Sequence, residues 1–420
     1  MAAVCIALFA CGCARQTLRD MPITITPKAE QPSPVLTSIP EASPVGRFTP
    51  PPEMQECTVA CDDAVNLRDG ASSHAELIGT VEEGACVRVI EFQERYAYVE
   101  VLASGQKGYM VAGYLQPATD VFGLDVVSIT DAYSYDQMRE DMRALTEIYG
   151  ETIKIVIAGE SANGLELPVM VLGNPQAPHH VFVQAAIHAR EHMTALLAMA
   201  LSEAWLKAGA SQEVCFHVMP MANPDGIQIS QGLVYDAHIQ QIQASDAAAA
   251  GEQPDETEYL REWKANYNGV DLNRNFDALW EKVEASTSPS SEGYRGTAPE
   301  SEPETQALVS YTKSRDFDAT ISYHATGSMI YWQFGDATQA DRAAYALAKV
   351  IGELSGYSIE PDDGTSFGGY KDWASSKCGI PSLTIEIGTR SAPLPETDFY
   401  NIWMRNRFVF RTVAEWVKNA

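Results

Sequence analysis

The sequence predicts an α/β protein with a mixed, largely parallel central sheet flanked by helices, preceded by a small all-β barrel. Three observations carry this reading. From Leu124 onward short apolar runs alternate with longer helical stretches, residues 56–118 hold short alternating runs between turn signals, and residues 15–55 are rich in proline. The chain has 420 residues, of which 45% are hydrophobic, so two or three domains with a sizeable core are expected. Its 29 Lys+Arg against 56 Asp+Glu give a formal net charge of −27, which argues against a nucleic-acid partner, since phosphate binding needs a basic face. No internal apolar run reaches the ~20 residues of a bilayer-spanning helix, so a polytopic membrane protein is excluded.

Residues 1–14 read MAAVCIALFACGCA, a short apolar stretch like the hydrophobic half of an export signal, without the basic segment that opens one. Leu8-Phe9-Ala10-Cys11 resembles a bacterial lipobox, with Cys13 as a second candidate for lipidation. An exported chain, held at the cell envelope by a lipid or secreted, is the expectation. Residues 15–55 follow as a linker, and Arg15 to Pro52 holds 9 of the 23 prolines. Such a segment cannot bury a core and acts as an extended spacer.

In residues 56–118 the runs Val65–Arg68, Leu77–Val81, Cys86–Phe92, Tyr96–Leu102 and Gly108–Leu115 read as strands, punctuated by Asp69-Gly70 and Ser104-Gly105. Among Cys57, Cys61 and Cys86 one pair is a candidate disulfide, given the expected export. Cys215 and Cys378 lie in apolar surroundings and are expected to be buried thiols. In residues 124–420, Lys154–Ala158, Leu167–Leu172, Val181–Ile187, Val214–Met219, Ala319–Ser322 and Ser382–Ile387 read as buried strands. Asp136–Tyr149, Thr194–Lys207, Ser301–Ser314, Asp341–Ser355 and Tyr400–Lys418 read as helices. The stretch Gln231–Glu258 reads as a surface insertion, a flexible or helical loop.

In such sheets chemistry sits past the carboxyl ends of strands. Directly after Val181–Ile187 come His188 and Glu191, three residues apart, and at another strand end stands His324. His, Glu and His form a complete catalytic zinc set, leaving one coordination position for water.

Five segments together resemble the zinc metallocarboxypeptidase family. They are His188-Ala189-Arg190-Glu191, Asn223-Pro224-Asp225-Gly226, Asp271-Leu272-Asn273-Arg274-Asn275-Phe276, Ser322-Tyr323-His324 and Thr384-Ile385-Glu386-Ile387-Gly388, in the family's order. The resemblance spans roughly Val127 to Trp416 and implies a carboxypeptidase-like fold with one Zn²⁺ per chain, held by His188, Glu191 and His324. It makes Glu386 the general base, Asn273 and Arg274 the grip on a substrate carboxylate, and Arg190 a further substrate contact. The family's oxyanion-stabilising arginine has no direct counterpart, and Lys264 is the favoured cation, with Arg261 beside it. The smaller region resembles the bacterial SH3-like domain through Val65-Asn66-Leu67-Arg68-Asp69-Gly70, Ile78-Gly79-Thr80-Val81 and Gly108-Tyr109-Met110-Val111, which implies contact with the cell wall.

The segment Ser366-Phe367-Gly368-Gly369-Tyr370-Lys371-Asp372-Trp373 matches the family's specificity pocket, with Lys371 at its floor and Gly364 where the family has a tyrosine, for which Tyr370 is a possible substitute. A cation there disfavours Lys and Arg side chains and suits a substrate carboxylate. Trp263-Lys264-Ala265-Asn266, Ser301-Glu302-Pro303-Glu304-Thr305 and Pro381-Ser382-Leu383 extend the likeness to bacterial γ-D-glutamyl–diaminopimelate peptidases. Peptidoglycan stem peptides are then the expected substrate. Two alternatives stand beside this: a general metallocarboxypeptidase acting on other peptides, and a non-catalytic, envelope-anchored binding lipoprotein.

Overall fold

The computed structural model describes residues 56–61, 64–93, 95–117, 122–335, 338–361 and 366–420. The export signal, the linker, Cys5, Cys11, Cys13 and Gly364 lie outside them.

Strands β1 (Glu56–Val59), β2 (Ala64–Arg68), β3 (Leu77–Glu82), β4 (Cys86–Gln93), β5 (Tyr96–Val101), β6 (Lys107–Val111) and β7 (Leu115–Pro117) form one sheet in the order β3-β2-β6-β5-β4-β1-β7. Its neighbouring strands are antiparallel, and register shifts in β2 and β4 bend the ribbon. The period-two pattern of β4 puts Val87, Val89 and Phe92 inside with Leu67, Val99 and Met110. Among the described residues no disulfide joins any two of Cys57, Cys61 and Cys86, so the expected bridge is not formed. Cys57 pairs with Val87 in the ladder while Cys86 sits opposite Thr58, which leaves the two thiols out of register.

The larger sheet comprises β8 (Ile153–Glu160), β9 (Glu166–Leu172), β10 (His179–Ala185), β11 (Val214–Met219), β12 (Ala319–Ala325), β13 (Met329–Tyr331), β14 (Ser358–Glu360) and β15 (Ser382–Ile387), ordered β14-β13-β15-β12-β10-β11-β9-β8. The four central strands, β11-β10-β12-β15, run parallel, whereas β8, β9 and β13 pair antiparallel. This is the mixed, centrally parallel α/β sheet expected. β11 is buried on both faces, as helices on either side require.

Local chemistry sets the helix boundaries. Ser134 Oγ accepts from Gln137 N at the start of Tyr135–Tyr149, and Thr338 with Asp341 closes a reciprocal capping box on Gln339–Ser355. The expected helix over 400–418 is two, Glu396–Asn406 and Val409–Asn419, and the insertion is chiefly a helix, Ala237–Ala250. Ile239 and Ile242 of that helix pack with Tyr259, Leu260 and Trp263. Among the described residues no helix is long and apolar enough to cross a membrane.

The barrel and the larger layer share one hydrophobic core. Tyr400 donates from its hydroxyl to Leu115 O at 2.5 Å, and the Arg405 guanidinium lies between the rings of Tyr114 and Tyr357, at 5.7 and 5.6 Å. Residues 125–127 are tied down by buried Glu203, whose carboxylate accepts from the backbone N–H groups of Asp125, Val126 and Val127.

Candidate active site and metal centre

At the carboxyl end of β10 the chain turns sharply. Ala186 adopts φ 49°, a left-handed conformation that costs a non-glycine residue energy. It is held there by Thr194 Oγ1, which accepts from Ala186 N at 2.8 Å, and by Ala186 O, which accepts from Asn223 N at 3.1 Å. The turn throws His188 and Glu191 over the end of the sheet. From β12 comes His324, which pairs in parallel register with Glu386 of β15.

His188, Glu191 and His324 are all buried, and their donor atoms lie within 4.8 Å of one another. His188 Nδ1 is 2.8 Å from Glu191 Oε1, His324 Nδ1 is 3.2 Å from Glu191 Oε2, and the two Nδ1 atoms are 3.2 Å apart. Two imidazole nitrogens converging on one carboxylate this closely fit a shared cation, and His₂Glu is a donor set that suits zinc. Burial raises the Glu191 carboxyl pKa, but His188 and His324 more than offset it and hold the group below its ordinary range.

Asp271 was not singled out by the sequence reading, although it lies within the motif that contains Asn273 and Arg274. Its Oδ1 is 3.2 Å from His188 Nε2, the far side of that ring. A carboxylate in this position fixes the tautomer and aims the Nδ1 lone pair inward. Burial works against the Asp271 charge, yet His188 and then Lys264 pull its pKa down. Among the described residues His324 Nε2 is buried without a hydrogen-bond partner, in contrast to the braced His188 ring.

Glu386 borders the cluster, mostly enclosed by neighbouring atoms yet partly open to solvent. Burial pushes its carboxyl up to about 7, with His324 and Lys264 pulling down and Glu191 pushing up. Lys264 thus acts electrostatically on both Asp271 and Glu386, and its carbonyl accepts from Ala189 N inside the His188–Glu191 turn. Arg261 instead sits on an exposed helix end, paired with Glu262 at 3.1 Å.

Arg274 donates to Ser366 Oγ at 2.9 Å, and Asn273 Oδ1 accepts from Tyr370 N at 3.0 Å, so the turn at 272–274 is locked to the pocket segment. Gly368, at φ +75°, makes this docking possible: a Cβ there would stand 2.5 Å from Arg274 O. Arg190 donates to Glu262 O at 3.1 Å and pairs with the carboxylates of Glu262 and Glu292 at 3.4 and 3.5 Å.

Two pocket expectations need correction. Tyr370 is fully buried, with its hydroxyl 2.9 Å from Thr312 Oγ1 and its ring against Phe182, Phe276 and Trp373, so it does not stand over a substrate. Lys371 is not a free pocket cation. Its ammonium donates to Gln333 O at 2.6 Å and pairs with Asp372 at 2.5 Å, with the side chain 10% exposed.

Residues 138–408 match the family model for zinc carboxypeptidase, and residues 63–116 match that for the bacterial SH3 domain. The gamma-D-glutamyl-L-diamino acid endopeptidase 1 of Lysinibacillus sphaericus is 29% identical over 295 residues, covering 66% of this chain and 71% of its own length. The carboxypeptidase B of Astacus astacus is 25% identical over 317 residues, 69% of this chain and 98% of that one. The crystal structure of carboxypeptidase A from Helicoverpa armigera shares the fold at a TM-score of 0.54 and 18% identity, over 70% of this chain and 76% of that one.

Proposed function

The chain belongs to the zinc carboxypeptidase family and carries a bacterial SH3 domain ahead of its peptidase domain; on that premise we propose that it hydrolyses the γ-D-glutamyl–meso-diaminopimelate bond of peptidoglycan stem peptides. One observation carries the catalytic reading: His188, Glu191 and His324 converge at the end of the parallel sheet with the Glu386 carboxylate beside them. The substrate reading is supported by the similarity to a γ-D-glutamyl-diamino acid endopeptidase and by the SH3-like domain packed on the same core.

The family is zinc-dependent, and His188, Glu191 and His324 would hold one Zn²⁺. When bound, the metal supplies an acidified water and a Lewis acid for the scissile carbonyl. The protein does the rest. Glu386 takes the proton from the attacking water and returns it to the departing amine of diaminopimelate, a task suited to a carboxylate whose pKa lies near neutrality. Lys264 faces the charge that develops on the carbonyl oxygen. Arg274 and Asn273 grip the carboxylate of the leaving residue, with Arg190 as a further substrate contact. Lys371, through its pair with Asp372, offers a cation and an anion side by side, which matches the amino-acid group at the end of the diaminopimelate side chain. The enzyme acts at the cell envelope, exported, and lipidated at Cys11 or Cys13 or else secreted.

The same Lys371–Asp372 pair also favours a second reading. A neutralised lysine selects substrates less sharply than a free one, as a general carboxypeptidase would. Incubating residues 15–420 and Zn²⁺ with L-Ala-γ-D-Glu-meso-diaminopimelate, and separately with ordinary peptides, distinguishes the two by mass spectrometry. Free diaminopimelate is expected from the first. Release of C-terminal residues from ordinary peptides alone would establish the second reading.

A further inference from the structure

A second group of soft ligands stands at the opposite end of the same strands. Parallel pairing of β10 with β11 sets His180 beside Cys215 and Phe182 beside His217. Paired residues of adjacent strands share a face, and so do residues two apart along a strand. His180, Cys215 and His217 therefore converge, and their donor atoms all lie within 4.8 Å of one another. His180 Nδ1 is 2.9 Å from His217 Nε2, a separation like those between the ligands of the catalytic cluster.

The His217 ring also has a partner behind it: His217 Nδ1 is 2.7 Å from Tyr311 Oη. Such outer partners fix tautomers at metal sites. With the outer nitrogens protonated, both inner nitrogens present lone pairs to the same point. Cys215 and His217 are fully buried and His180 is half-buried, so the cluster can be reached only from the His180 side.

We propose that His180, Cys215 and His217 form a second metal site, selective for a thiophilic divalent ion such as Zn²⁺ and separate from the catalytic one. Two imidazoles and a thiolate favour zinc over magnesium or calcium. Binding is balanced by one proton: Cys215 Sγ–H gives a metal–thiolate bond and releases H⁺ to solvent. The single ring proton of His217 then resides on Nδ1 and donates to Tyr311 Oη.

The surroundings fit this role. Cys215 and His217 are both buried, with Cys215 packed against Val171 and Ala177. The Arg315 guanidinium, 4.5 Å from the Tyr311 ring centroid, opposes a bare cation, and the thiolate charge offsets it. The site joins β10 to β11 at the base of the sheet and has no carboxylate base among its ligands, which marks it as structural.

The full chain, stripped of metal and dialysed against Zn²⁺, tests the proposal by metal analysis. Two zinc ions per chain are expected, falling to one when Glu191→Gln and His324→Gln are combined. Loading with Co²⁺ adds a readout that the His₂Glu site cannot give, a thiolate-to-metal charge-transfer band. That band is expected in the wild type and in the Glu191→Gln/His324→Gln variant, and is expected to disappear in Cys215→Ser. If Cys215→Ser does not fold, His180→Gln takes its place, because that side chain is partly exposed and its loss spares the core. One zinc per chain without the band, a band that survives Cys215→Ser, or two zinc ions retained by His180→Gln overturns the proposal and leaves a hydrogen-bonded histidine pair.

Discussion

Strand β10 leads at one end into His188 and carries His180 near the other, and the two neighbourhoods are built on opposite plans. At the carboxyl end the ligand set includes a carboxylate, Asp271 braces one ring, and Glu386, Lys264 and Arg274 crowd around. At the amino end a thiol replaces the carboxylate, Tyr311 braces the ring, and Cys215 lies in an apolar nest of Val171 and Ala177. Ligand convergence alone therefore does not make an active centre. What distinguishes the carboxyl end is the Glu386 carboxylate with Lys264 and Arg274 near it, the groups to which the proposed mechanism gives the proton transfer and the substrate contacts.

Substituting the base separates the ends most sharply. Glu386→Gln is expected to lower kcat by roughly 10²–10⁴, the range for general acid–base catalysis, with zinc content unchanged in both clusters. Retained activity would remove Glu386 from the mechanism. Next comes the brace. Asp271→Asn is expected to weaken zinc binding at the catalytic end by roughly 10–100-fold, read by competition with a chelator, and to leave the distal site untouched. Equal loss at both ends would show one coupled unit instead of two sites.

The helix Pro303–Lys313 carries Glu304 in its first turn and Tyr311 in its last. Burial pushes Glu304 from 4.5 up to about 7. Its folded state therefore keeps a proton that the unfolded chain gives up, so stability from this group is full below pH 4.5 and is lost as pH rises through 7. At ~1.4 kcal/mol per pKa unit the loss is on the order of 3 kcal/mol. Denaturant unfolding at pH 5 and pH 8 should show this drop, and Glu304→Gln should flatten it; an unchanged slope in the variant would contradict the assignment. The smallest effect belongs to the amino end. Cys215→Ser is expected to change kcat/KM by less than about twofold, as a buried residue at the opposite strand end from the reacting atoms should. A tenfold loss would tie that end to catalysis.

The catalytic end was legible in sequence because His188, His324 and Glu386 each fall at the end of an apolar strand, where the parallel sheet brings them together. The brace from Asp271 was not, since an aspartate inside a motif gives no sign of which ring it meets. Nor was the state of Lys371, whose carbonyl partner Gln333 lies 38 residues away in sequence. The break between the two last helices is marked by neither proline nor glycine, and the helical apolar pattern runs on through it. Cys215 was readable as a buried thiol, but only the β10–β11 register sets His180 beside it.

The most direct test of the proposed function is the ratio of kcat/KM for L-Ala-γ-D-Glu-meso-diaminopimelate over L-Ala-α-L-Glu-L-Lys, measured with the zinc-loaded chain. Loss of a buried polar partnership typically costs roughly 10⁴ in discrimination, so a ratio of at least about 100 is expected if the pocket reads the wall peptide. A ratio near one, or a preference for the ordinary peptide, would contradict it.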